Sequence, residues 1–332
     1  ADNNNVAIGY GSLTNNNGGE NCVAVGSFAL EENTTANHNT AVGNQALEFN
    51  TTGANNTAVG ANALDANTTG ERNTAVGRQA LSVVTTGNNN TSVGVNSLYA
   101  NTASSNTAVG DAALYTNTSG ADNVAMGRNA LFLNTTGGTN VAIGNYALDA
   151  NTTADGSTAV GAYALTANTT GTNLVAVGAG ALDSNTTGSG NIAIGKDALQ
   201  TNTDASHNIA IGQGALYFNT SGIQNTAVGA NGPLTANTTG ISNTAVGYAA
   251  SALNTTGGSN TSVGTQALYN NTTASGNTAV GYHALIANTT GQNNTAIGSQ
   301  ALDAASTAGG NVAVGDLALS SVTAYNNNTA VG

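Results

Sequence analysis

The feature that most constrains this chain is a short pattern, typified by Asn-Thr-Ala-Val-Gly at residues 39–43, that returns about every seventeen residues. Successive pattern glycines are seventeen residues apart, except for one step of sixteen, Gly94 to Gly110, and one of eighteen, Gly229 to Gly247. A period held this closely is typical of a solenoid, in which each repeat forms one coil stacked on the previous coil.

The composition of the pattern indicates strands rather than helices. Its apolar segments are short, rich in β-branched residues and bounded by Gly and Asn, whereas a helical repeat needs apolar residues at 3.6-residue spacing over a longer stretch. The sequence therefore predicts an all-β fold, a parallel β-solenoid (β-roll) with about 17 residues per coil and about 19 coils. Because a solenoid grows by adding coils, residues 1–332 are predicted to form a single domain.

Positions within a coil can be numbered from the pattern glycine, which is position 0. Position −1 is Val, Ile or Met, position −3 is Val, Ile or Thr, and position +4 is usually Leu. Positions −1 and −3 lie on the same side of a strand, and we expect them to point inward together with the Leu, carried on a second short strand. The frequent Asn at positions −4 and +7 is expected to stack into amide ladders.

Position −2 is Ala in eighteen coils and Ser in two, Ser92 and Ser262. Strand alternation then predicts that this column points outward. Small side chains allow flat surfaces to approach closely, so the column is a candidate interface between copies of the chain. Its proposed members are Ala142, Ala176, Ala193 and Ala210.

The composition argues against several functions. Four Lys+Arg against sixteen Asp+Glu give a net charge of −12, which disfavours a nucleic-acid partner. No apolar run is long enough for a membrane-spanning helix, so no membrane insertion is expected. No triad, paired carboxylates or phosphate-binding glycine loop stands out, which predicts no enzyme activity and no cofactor. The single cysteine, Cys22, is expected to be a small buried residue.

Position +5 carries the most suggestive side chains. Glu31, Glu48 and Asp65 occupy it in three successive coils, either as a solvent-exposed acidic stripe or as ligands for a hard cation such as calcium. The three histidines lie in distant coils and cannot share a metal, so no metal site is assigned.

Aromatic residues occupy position +5 in the next stretch of the chain. Tyr99, Tyr115 and Phe132 form an aromatic column that either covers the edge of the coils or stacks against sugar rings.

Asn-Thr-Thr sequences also match the N-glycosylation acceptor, for example at Asn50, Asn67 and Asn134. If these asparagines form an inward ladder, they cannot be modified.

The segments Asn5-Val6-Ala7-Ile8-Gly9, Asn140-Val141-Ala142-Ile143-Gly144 and Asn191-Ile192-Ala193-Ile194-Gly195 resemble the head repeats of YadA-like trimeric autotransporter adhesins. Similar segments recur in bacteriophage fibre-like proteins. The resemblance implies a left-handed parallel β-roll, three chains side by side, displayed outside the cell and used for attachment, with surface glycans or a host receptor as partners.

These observations favour a structural or adhesive extracellular fibre, placed on the cell surface or in a filament. The strand pattern occurs close to both ends without an obvious cap, which predicts end-to-end polymerisation of the chain with itself. The alternatives are a ligand-binding solenoid, for ice or glycans, and a segment of a phage tail fibre. Ice binding requires a flat outward array of threonines, and the predicted inward orientation of position −3 leaves only the corner threonines for it.

Overall fold

The structure, a computed structural model, describes residues 4–332. Each coil contributes one strand of three residues, and the described residues contain 20 such strands and no helix. Paired strands run parallel and are offset by one repeat, as where Thr57 lies opposite Thr74. The protein is therefore an all-β parallel β-solenoid of about 19 turns with about 17 residues per turn, as the sequence predicts.

The chain divides into two compact units, the first of which is Ala1–Thr170. Its ten strands pair in chain order with no residue slipped. They are β1 (Val6–Ile8), β2 (Val23–Val25), β3 (Thr40–Val42), β4 (Thr57–Val59), β5 (Thr74–Val76), β6 (Thr91–Val93), β7 (Thr107–Val109), β8 (Val124–Met126), β9 (Val141–Ile143) and β10 (Thr158–Val160).

The second unit is Gly171–Gly332. Its ten strands are β11 (Val175–Val177), β12 (Ile192–Ile194), β13 (Ile209–Ile211), β14 (Thr226–Val228), β15 (Thr244–Val246), β16 (Thr261–Val263), β17 (Thr278–Val280), β18 (Thr295–Ile297), β19 (Val312–Val314) and β20 (Thr329–Val331). The extra residue near Pro233 is absorbed in the turns, because Thr226 still pairs with Thr244. The insertion at the proline therefore leaves the strands in register.

The interior of a coil is thin and is filled by small or flat side chains. In the coil around Gly43, the fully buried residues include Asn39, Ala41, Ala46, Leu47 and Asn50. These are positions −4, −2, +3, +4 and +7. The inward Leu at position +4 is confirmed.

The predicted orientation of the strand is wrong, because position −2 faces the interior and positions −1 and −3 face outward. Ala41 is fully buried, whereas Val42 is 36% exposed and Thr40 is half-buried. The physical reason is the space available: Ala46 and Leu47 of the same coil already occupy the interior, so only a small side chain fits opposite them. The β-branched residues instead suit the half-buried outer face of the sheet.

The second short strand expected around the Leu is also wrong, because residues after the glycine form consecutive turns. Gln45 and Leu47 have φ of 58° and 52°, in the left-handed region that a strand does not use. Their backbone amides still bond between coils: the N–H of Gln45 donates to Ser27 at 2.9 Å and that of Leu47 to Ala63 at 3.1 Å. The turn side of the coil is thus hydrogen-bonded to both neighbouring coils without forming a strand.

The amide ladder expected at position +7 is confirmed. Asn67 Nδ2 donates to Asn50 Oδ1 at 2.7 Å, and the link recurs where Asn134 donates to Asn117 at 2.7 Å. Each amide also donates within its own coil, as from Asn67 Nδ2 to the Gly70 carbonyl at 3.0 Å. Each side-chain nitrogen therefore donates to two acceptors, one in its own coil and one in the preceding coil. The first bond stabilises the corner and the second stabilises the stacking of the coils.

The asparagines at position −4 form a different ladder from the one expected, since they bond chiefly to backbone. The N–H of Asn73 donates to Asn56 Oδ1 at 2.9 Å, and Asn56 Nδ2 donates to the Gly70 carbonyl at 2.8 Å. Amide-to-amide bonds add to this in some coils, as from Asn90 Nδ2 to Asn73 Oδ1 at 3.1 Å. Most asparagines of both columns are therefore buried yet paired, as buried amides require.

The ladder at position +7 loses its amide where the sequence departs from Asn, at Val84, Ala305 and Val322. Val84 and Ala305 take the place of Asn and are fully buried. The oxygens that would have accepted from them, Asn67 Oδ1 and Asn288 Oδ1, are buried without a hydrogen-bond partner. An unpaired buried acceptor destabilises the fold by about 1 to 3 kcal/mol.

Exchanging the two residue types should change stability in opposite directions. Val84→Asn supplies a donor for Asn67 and an acceptor for Asn101. We therefore expect the free energy of unfolding to increase by about 1 to 2 kcal/mol. Asn134→Val leaves Asn117 Oδ1 without a donor and should lower stability by about 1 to 3 kcal/mol. Urea unfolding of both variants is the measurement, and a neutral Asn134→Val would contradict a stabilising ladder.

Serine at position −2 always finds another serine inside the coil. Ser92 Oγ donates to the Ser97 carbonyl at 2.9 Å and also contacts Ser97 Oγ. Ser262 Oγ accepts from Ser251 Oγ at 2.9 Å, where Ser251 stands in place of the usual Leu. The two exceptions to Ala in this column are thus matched by partners across the interior.

A double-mutant cycle on Ser92 and Ser97 tests that pairing. Either Ser→Ala change alone should lower stability by up to about 1 kcal/mol, because it removes the contact between the hydroxyls, while Ser92 Oγ keeps the Ser97 carbonyl and Ser97 Oγ keeps the Gly94 carbonyl as acceptors. The double variant restores the Ala pair found in most coils and should be close to the parent, giving a coupling energy of about 0.5 to 2 kcal/mol. Additive losses, measured by urea unfolding, would show that the two hydroxyls act independently.

Candidate functional site

The outward sides of the strands form the most regular surface of each unit. We call it the strand face, made of the residues at positions −3 and −1 of each coil. Most of its position −1 side chains are exposed by about a third or slightly more, as with Val42 at 36% and Ile297 at 40%, and the first and last, Ile8 and Val331, are more exposed. No charged residue occupies either position in any strand. The sequence alone predicts that positions −3 and −1 point inward, and it therefore does not identify this face as a candidate site.

The strand face has two chemistries. In β3–β7 of the first unit and β14–β18 of the second, every strand presents one Thr and one aliphatic side chain; we call these stretches the Thr/Val patches. In β11–β13 both outward residues are aliphatic, as with Ile192 and Ile194. The single strands β10 and β20 also present Thr and Val, but only the Thr/Val patches extend this combination over five successive strands.

The threonine hydroxyls of the Thr/Val patches differ from those at the corner of the coil. At position +8, Thr51 Oγ1 donates to the Thr68 carbonyl at 3.0 Å, and Thr68 Oγ1 to Thr85 at 3.1 Å. Among the described residues, the strand-face threonines have no such side-chain bond. They are Thr40, Thr57, Thr74, Thr91 and Thr107 in the first unit, and Thr226, Thr244, Thr261, Thr278 and Thr295 in the second. Their hydroxyls are available to a ligand or to water.

The alanine interface proposed from the sequence is wrong. Ala142, Ala176, Ala193 and Ala210 are all fully buried inside their own coils. They pack against the position +3 and +4 side chains, so no neighbouring chain can reach them. A signal in the sequence could have revealed this: no residue larger than Ser occurs at position −2.

The candidate glycosylation sites are also overturned. Asn50, Asn67 and Asn134 are fully buried. The side-chain nitrogens donate within the ladder, as from Asn50 Nδ2 to Asn33 Oδ1 at 3.1 Å. A nitrogen that is buried and bonded in this way cannot accept a glycan in the folded protein.

The acidic column at position +5 is partly shielded from solvent. Burial raises the pKa of Glu48, and the charges of Glu31 and Asp65 add to this while a hydrogen bond from Gln45 opposes it. Burial likewise raises the pKa of Asp65, against a 2.6 Å hydrogen bond from Ser82 Oγ. Within residues 4–332 no cluster of His, Cys, Asp and Glu could hold a metal ion. The structure thus gives no support to the calcium interpretation of this column.

The aromatic column is a continuous stack. Tyr99 and Tyr115 have ring centroids 5.2 Å apart, Tyr115 and Phe132 have them 5.3 Å apart, and the rings of both pairs are stacked nearly parallel. Because the rings cover one another, the face of Tyr115 that a sugar would need is already occupied. The arrangement favours the interpretation that these rings cover the coil edge.

The remaining features are a buried thiol and an open pocket. Cys22 is buried, and burial raises the pKa of its thiol. An open pocket of about 310 Å³ lies at the proline insertion in the second unit. It is lined by Gln213, Gly214, Tyr217, Asn231, Gly232 and Thr235. None of these side chains is charged or an evident nucleophile.

The fold and the strand face define the chain as a tandem-repeat β-solenoid. No protein-family model matches the chain, and no curated protein sequence matches it. Within the part of the chain that the structure describes, no helix has the length and apolar character needed to cross a membrane.

The shifted carboxyls predict how stability depends on pH. Burial raises the pKa of Glu48, Asp65 and Asp149 in the folded state. Between the unfolded and folded values the folded state therefore binds more protons, and stability increases as the pH falls. We expect the melting temperature to rise when the pH is lowered from neutral towards about 5.

Asp149→Asn provides the control for this pH dependence. It removes the charge of a half-buried carboxyl whose buried Oδ1 has no hydrogen-bond partner, so it should raise the melting temperature at neutral pH and reduce the gain on acidification. A lower melting temperature at neutral pH for this variant would contradict a destabilising Asp149.

Proposed function

We propose that this protein is a structural fibre protein of the cell exterior, with copies of itself as its principal partner. The observation that carries the proposal is that each coil is bonded to the next along several parallel columns at once. In the coil around Gly60, the strand, the turn side and the asparagine at position +7 each contribute bonds to a neighbouring coil. Such a stack resists separation of its coils because many bonds must break together.

The bonding is also directional and self-complementary. At position +7 each amide donates to the preceding coil and accepts from the following one, as Asn134 does with Asn117 and Asn151. The backbone of a coil from a second chain offers the same donors and acceptors, so head-to-tail addition continues the backbone columns, whereas Ala305 and Val322 interrupt the amide column at position +7 in the last two coils. Head-to-tail contacts that do not close a ring give an open filament.

The composition supports a role outside the cell. Only four Lys+Arg occur in 332 residues, which leaves few sites for trypsin-like proteases. The resemblance of the strand segments to adhesin heads and phage fibres also supports an extracellular fibre that takes part in adhesion. A phage tail-fibre segment would perform the same structural role.

Assembly is tested by negative-stain microscopy and analytical ultracentrifugation over a range of protein concentrations. We expect filaments that lengthen with concentration while keeping a constant width. Single particles at every concentration would overturn self-assembly.

Durability is tested separately with a protease of broad specificity. We expect the parent protein to survive digestion for much longer than an unfolded control, since its backbone amides are held between coils. Asn134→Val should be cleaved faster, whereas Thr136→Val, at an exposed site two residues away, should match the parent. Equal cleavage of the two variants would show that the ladder does not govern resistance.

A further inference from the structure

The Thr/Val patches are two-dimensional lattices. Each strand of β3–β7 is paired with the next without a register shift, so Thr40, Thr57 and Thr74 form one outward column and Val42, Val59 and Val76 another. The rungs repeat at about 4.8 Å along the stack. The second unit repeats the arrangement in β14–β18.

The lattice is rigid and uncharged. The valines are about two-thirds buried, as with Val59 at 37% exposure, because the same residues of neighbouring coils flank them. β-branched side chains also have few rotamers available. The methyl and hydroxyl groups are therefore held in place, and no charge within the columns imposes its own orientation on nearby water.

The threonine hydroxyls in this lattice have no protein partner among the described residues, so water completes their hydrogen bonding. In tetrahedrally bonded water, oxygens about 2.8 Å apart have second neighbours about 4.5 Å apart. That spacing is close to the rung repeat of about 4.8 Å. Over a patch of five rungs, a row of hydroxyls can take the place of a row of lattice oxygens, while the valine methyls confine water beside them.

From this geometry we propose that the two Thr/Val patches bind ice, through ordered water held on their threonine and valine columns. The ligand is crystalline water, and the occupied surface is the strand face of β3–β7 and of β14–β18. The corner threonines at position +8 are not part of it, since their hydroxyls are used within the protein. The corner threonines at position +9 lie outside the strands, and the control variant below tests them.

Ice fits these patches better than a second copy of the chain does. A dry contact between two copies would remove the threonine hydroxyls from water, at about 1 to 3 kcal/mol for each one left unpaired. The all-aliphatic strands β11–β13 lack this penalty and are better suited to contact between chains. Binding to a water lattice therefore accounts for the hydroxyl columns, whereas a dry contact between chains does not.

The experiment measures thermal hysteresis and inhibition of ice recrystallisation by the full chain. The test variant, Thr74→Tyr with Thr261→Tyr, places a bulky ring in the centre of each patch. The matched control, Thr69→Tyr with Thr256→Tyr, makes the same change at exposed corner positions of the two units. Circular dichroism and melting curves establish that each variant is folded.

We expect the parent and the corner variant to show equal hysteresis and the strand-face variant to lose most of it. Each single strand-face change should cause a partial loss, because the patches act separately. No hysteresis in the folded parent at high concentration would overturn the proposal, as would an equal loss in the corner variant. An inactive parent that is an oligomer, and that Thr74→Tyr dissociates, would assign the face to contact between copies instead.

Discussion

The structure depends on a glycine at the end of every strand, where no other residue can stand. Gly43 has φ of 139°, and a Cβ on it would lie 2.5 Å from the Gly60 carbonyl oxygen of the next coil. The backbone therefore turns sharply at this point while adjacent coils remain at strand spacing. A side chain would both strain the turn and push the coils apart, which would break the backbone and amide bonds between them.

Close stacking leaves an interior so thin that its contents are almost fixed. Ala and Leu fill the apolar part, and the asparagines at −4 and +7 satisfy the backbone at the corners. A buried amide is tolerated only when it is bonded, and the repeat supplies the identical partner one coil away. The unpaired oxygens of Asn67 and Asn288 show the consequence when the partner is lost.

The same repetition has two effects on the outside. Bonds along the stack make each unit resistant to separation of its coils, which supports the proposed fibre role. The outward residues are then arrayed at the same spacing as the bonds, so the Thr/Val patches become a lattice. The proposed fibre role and the proposed binding surface thus rest on one constraint, and they use different parts of the coil.

The sequence by itself determined the period, the coil of about 17 residues, the inward Leu and the amide ladder at +7, because each is a repeated local chemistry. It could not decide which side of the strand faces inward. Alternation separates Ala41 from Thr40 and Val42, but both sets are compatible with a strand. The choice depends on the space left when Ala46 and Leu47 fold across from that strand, and this space exists only once the coil has closed. Tertiary structure therefore placed the alanines inside, removed the predicted alanine interface, and exposed the strand face.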